Sequence, residues 1–81
     1  MAKYYCEGFR AIEAESFEKA FDEFSRKASI KNYSGVNAFV KDVDLHFQSD
    51  SAQIYSMRVG KTFSNKPEIS HFISLRIEKV S

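Results

Sequence analysis

Four groupings in this chain combine residue types and spacings that could do chemistry. The first is Asp42, Asp44 and His46, in the run Asp-Val-Asp-Leu-His. On a strand, alternate residues project from one face. Asp and His both ligate metals, and two of them at i,i+2 can share an ion. Three converge poorly, because i to i+4 spans ~13 Å along a strand. No companion motif offers a further ligand. Val43, Leu45 and Phe47 alternate with these residues, which is the pattern of a half-buried strand with a polar outer side. No metal or cofactor is therefore expected, and a metal protein or enzyme built here is the third-ranked reading.

The second grouping is Cys6 with His46 or His71. Nucleophilic catalysis needs thiol and imidazole within hydrogen-bond reach, with a third group to orient the base. Nothing local arranges that. Cys6 sits in an apolar stretch, where a buried, inert thiol is expected. His71 shares parity with Ile73 and Leu75, so it reads as a partly buried core residue near a strand end. No catalytic residue is assigned.

The third grouping is Arg58, Phe72 and Arg76, which share the outward parity of two successive strands, with Lys61 and Lys66 flanking the connection. Between Gln53 and Lys79, Arg58, Lys61, Lys66, Arg76 and Lys79 face only Glu68 and Glu78, a local excess of positive charge. Cations interleaved with an aromatic ring suit single-stranded nucleic acid, by phosphate neutralisation and base stacking. No RNA-recognition signature accompanies them, and the whole chain has a net charge of only +1. The fourth possibility needs no special residues. A small sheet has edges, and edges pair with other chains.

The elements that must position these groups are few. Phe17, Ala20, Phe21, Phe24 and Ala28 fall on one helical stripe. This predicts a helix over about 16–28, with Ser16 as N-cap. Lys19, Asp22, Glu23, Arg26 and Lys27 form the opposite, solvated face, with opposite charges at i,i+4. Strands are expected at about 3–13, 36–47, 52–62 and 69–80. Turns fall at 29–35, with Asn32 and Gly35 as breakers, at 48–51, and at Ser64-Asn65-Lys66-Pro67. The first strand is apolar on both sides, so it is expected to be central or to have its second face covered by something else. In the second, parity switches near Lys41-Asp42. A β-bulge or sharp bend there would place Val36, Ala38 and Val40 on the same face as Val43, Leu45 and Phe47; alternatively, Phe39 joins the second set and Val36, Ala38 and Val40 face elsewhere.

The fold class expected is α+β: a two-layer β-α-β-β-β sandwich, one helix on a mainly antiparallel four-stranded sheet. Eight Phe against two Leu and no Trp suit a sheet packed on a helix better than a bundle. At 81 residues the chain is one domain with a small core. No apolar run spans a membrane, and the first residues lack an apolar signal region. A cytoplasmic location is expected.

One helix, ~10–12 Å wide, cannot cover four strands spaced ~4.8 Å apart, and it leaves the other face bare. Phe72, Tyr5, Phe9 and Phe39 are expected there, and exposed rings of that size mark a contact surface. The expected binding residues are Phe72, Arg58, Arg76, Tyr5 and Phe9. The expected function is non-enzymatic binding through protein contacts: a homodimer, a partner protein, or both. Small accessory or inhibitor proteins of phages and mobile elements are of this type. Nucleic-acid binding by the outer sheet face is the alternative.

Overall fold

The computed structural model describes residues 1–33, 37–64 and 66–81, Lys66 as backbone only. The expected breaker Gly35, the expected strand residue Val36 and the turn residue Asn65 lie outside the described residues. Five strands and one helix follow in the order β1 (Ala2–Cys6), β2 (Ile12–Ala14), α1 (Phe17–Asn32), β3 (Ala38–Gln48), β4 (Ala52–Phe63) and β5 (Lys66–Lys79). They form one antiparallel sheet in the order β2-β1-β5-β4-β3, with the helix packed on one side. This is the expected α+β sandwich with one more strand.

The extra strand comes from the first apolar stretch, which folds back on itself. The Phe9 amide donates to the Cys6 carbonyl at 3.0 Å, and Gly8 has φ of 90°. A turn that needs positive φ at its third residue selects glycine there. The expected single strand over 3–13 is therefore a hairpin, β1 paired with β2. Its apolar character on both sides comes from residues of the turn packing inward.

Helix α1 starts where Ser16 accepts from the Lys19 amide at 3.2 Å. The cap satisfies one of the donors that a first helical turn leaves free. The helix runs four residues beyond the expected stop. Asn32 caps it from within, its side-chain amide donating to the Ala28 carbonyl at 2.8 Å. Ala20, Phe21, Phe24 and Ala28 are buried, as the stripe requires. They meet Tyr4, Cys6, Tyr55, Met57, Val59, Leu75 and Ile77 from the sheet. Phe21 stacks on Tyr55 at 4.1 Å, and Tyr4 meets Phe17 edge-on at 4.9 Å.

The helix is short against the sheet in length as well as width. Sixteen helical residues span ~24 Å, whereas the fourteen of β5 span ~46 Å. The longest dimension of the molecule is 46 Å. The far end of the β3-β4-β5 meander therefore extends past the helix. His71 lies level with the end of the helix, its ring 5.5 Å from that of the C-cap residue Tyr33. It is exposed, not the partly buried core residue expected. Its Nδ1 is hydrogen-bonded to the Tyr33 hydroxyl at 2.7 Å.

Candidate interaction surface

Strand β3 occupies one edge of the sheet, and most of it is exposed. The bulge expected near Lys41-Asp42 is present. Lys41 pairs with Arg58 and Asp44 with Ser56, so Asp42 and Val43 together oppose Met57. Asp42 has φ of 54°, a left-handed conformation that Asp tolerates better than most residues. The extra residue puts Val40, Val43 and Leu45 on the helix-bearing face. A second register shift, between Leu45 and Phe47, sets Phe47 opposite Ile54. Phe47 therefore joins the outer face instead of the Val43–Leu45 set. Val43, Leu45 and Phe47 are 45%, 47% and 49% exposed: the first two lie on the helix-bearing face beyond the packed Val40, and Phe47 lies on the outer face, which no helix covers.

The outer face carries three of the expected rings. Phe72 is 59% exposed and Tyr5 is partly exposed. Phe39 lies opposite Gly60. A Cβ on Gly60 would come 2.6 Å from Phe39 Cζ and 2.3 Å from the Ile69 carbonyl oxygen, so glycine leaves room for the ring to lie across the sheet. Phe9 is elsewhere. It belongs to the β1–β2 turn and tilts against Phe24 of the helix at 5.9 Å, beneath the Lys31 ammonium. The turn at Gly8 swings it off the strand, which removes it from the surface formed by Phe72, Arg58, Arg76 and Tyr5.

Three cations of the outer face have acidic partners. Arg58 lies over Phe72 at 4.1 Å, donates to Ser70 Oγ at 2.9 Å and sits 3.5 Å from an Asp42 carboxylate oxygen. Lys41 lies over Phe39 at 4.9 Å and meets Glu68 at 2.6 Å. Arg76 pairs with Glu78 at 2.9 Å. Strand β3 adds Asp42 and Asp44 to this face, acids that a count along 53–79 misses. Lys61 shares the parity of Val59 and Ile69, which puts it on the helix-bearing face.

Cys6 does not meet either histidine. It is buried under the helix on β1, while His46 is on β3, separated from β1 by β5 and β4, with Nε2 2.6 Å from Ser56 Oγ. His71 is six residues along β5 from Ile77, the partner of Cys6, or ~20 Å. Burial pushes the Cys6 thiol above its ordinary value of 9.0; a backbone hydrogen bond at Arg76 opposes the rise and Glu7 adds to it. No group of three or more His, Cys, Asp or Glu able to hold a metal comes together among the described residues. A shallow groove of about 410 Å³ between Met1, Glu13 and the helix side chains Lys19, Asp22, Glu23 and Arg26 has walls of mixed charge and no convergent chemistry. No described helix is long and apolar enough to cross a membrane. No family model, curated protein or solved structure matches this chain.

Proposed function

We propose that this protein works by binding protein chains, with no catalysis, and that the open β3 edge and the surfaces beside it are where it does so. One observation carries the reading. An eleven-residue edge strand presents backbone groups to solvent, with apolar side chains half exposed on both of its faces. Backbone pairing supplies affinity at such an edge, and the alternating side chains supply selectivity. A cytoplasmic setting and an accessory or inhibitory role belong to this reading.

Nucleic acid fits the outer face less well. Binding driven by counterion release needs cations free to meet phosphates. Here Lys41, Arg58 and Arg76 each have a carboxylate within 3.5 Å, and a phosphate would have to displace it. The test compares two variants of the tagged protein in its own cells. Leu45→Lys is expected to release co-purifying protein that the parent retains, with the helical circular dichroism unchanged. The reading is contradicted if oligonucleotides bind at low salt with micromolar affinity or better and Arg58→Ala with Arg76→Ala abolishes that binding.

A further inference from the structure

We infer that the occupant of the β3 edge is a second copy of this chain, paired antiparallel with its own β3 about a two-fold axis between Asp42 and Val43. This rests on the protein-binding reading and names its partner and register.

Asn37 accepts from the Thr62 amide at 3.1 Å, and Ala52 accepts from the Ser49 amide at 2.9 Å. These are hydrogen-bonded pairs at the two ends of the β3–β4 ladder. Such pairs alternate with non-bonded ones along an antiparallel ladder. Counted inward from both ends and through the two register shifts, Val40 and Leu45 turn their N–H and C=O groups away from β4. They are available to a new strand.

The bulge then selects the register. In a regular strand, a two-fold axis keeps side chains on matching faces only if it passes through a residue. In β3 the extra residue shifts the faces by one, so the axis must fall between two residues. With the axis between Asp42 and Val43, Val40 faces Leu45 of the second copy, and both lie on the helix-bearing face. Both also direct free backbone groups outward, so each such pair closes two hydrogen bonds. Lys41 faces Asp44 of the second copy and Phe39 faces His46, all on the outer face. This is the register that sets bulge against bulge. A regular peptide would lose register at Asp42-Val43, because bulges disrupt edge pairing. A second copy carries the same extra residue and stays in step.

Charge complementarity agrees with the backbone. The two Lys41–Asp44 contacts, one on each side of the axis, pair opposite charges directly across strands, where they attract. Lys41 has three donor hydrogens and can keep Glu68 while meeting Asp44. The two sheets join into one, with both helices on the same face. Val40, Val43 and Leu45 of both copies then line the floor between the helices, which covers the Val43 and Leu45 side chains that α1 leaves half exposed.

The test is a charge exchange read by light scattering at tens of micromolar. The parent is expected at twice 9.3 kDa. Lys41→Glu and Asp44→Lys should each weaken the dimer by roughly tenfold or more, since two attractive cross-strand pairs become repulsive. Lys41→Glu combined with Asp44→Lys should restore it, because the two positions again carry opposite charges across the axis. A second measurement needs no variant: hydrogen exchange at the Val40 and Leu45 amides should slow as protein concentration rises. A monomeric parent overturns the inference, as does a dimer indifferent to the single exchanges or one in which those amides stay fast. A monomer whose co-purifying protein is still lost with Leu45→Lys leaves the protein-binding reading intact and removes only self-pairing.

Discussion

Single residues decide more here than their types suggest. Gly60 lacks a side chain because the Ile69 carbonyl and the Phe39 ring already fill the space a Cβ would take. Gly60→Ala is expected to cost about 1–3 kcal/mol, the range for overfilling a packed site, as a lower denaturant midpoint at unchanged slope. Adding Phe39→Ala should not recover it, since the nearest obstructing atom is backbone. Cys6 illustrates the opposite case, a chemically capable group that its place keeps buried. Burial raises the Cys6 thiol above 9.0, and burial with Glu18 and Asp22 nearby raises the Tyr55 hydroxyl above its ordinary 10.0. Both are favoured neutral in the folded chain. Their contribution is full below those ordinary values and is lost as pH rises through the raised ones. Unfolding free energy should therefore be unchanged by these groups from neutral pH to about 9 and fall above it. A thiol reagent should label Cys6 only on denaturation. Fast labelling of the native protein would show that the thiol is open to solvent. The burial of Cys6 is readable from its apolar neighbours. The exposure of His71 is not, because its parity with Ile73 identifies a face and not how far that face is covered.

At the scale of elements, local patterning is legible where side-chain periodicity and backbone chemistry agree. The Phe17–Phe21–Phe24 stripe and Ser16 locate α1. Ser16→Ala should remove about 1 kcal/mol, the usual worth of such a cap, and a midpoint that does not move would show the Lys19 amide satisfied some other way. The parity switch at Lys41-Asp42 locates the bulge. The alternations of β4 and β5 assign Arg58, Phe72 and Arg76 to the outer face and Met57, Val59, Leu75 and Ile77 to the core. The first hairpin escapes the pattern, although Gly8 marks it, because apolar residues on both sides of the turn read as one buried strand. Phe9 is misplaced with it. The second register shift, before Phe47, leaves no mark in the sequence, where Val43, Leu45 and Phe47 alternate without a break.

The whole molecule is governed by a mismatch between one short helix and a long meander. Width alone predicts uncovered sheet; there is also a shortfall in length, while the β3 edge is open because of the strand order. The candidate surface shifts accordingly. The outer-face cations that suggest phosphate binding are matched by Asp42, Glu68 and Glu78. Asp42 and Glu68 come near their partners only in the folded sheet. The edge, by contrast, is an exposed strand with half-exposed apolar side chains, and the self-pairing proposed for it would set Lys41 opposite Asp44 of the second copy. The most direct measurement is the solution mass of the parent, the two single charge exchanges at Lys41 and Asp44, and the double. A dimer for the parent and the double, with the singles dissociating, is the predicted result. A parent that stays monomeric at every concentration reached would contradict self-pairing through this edge.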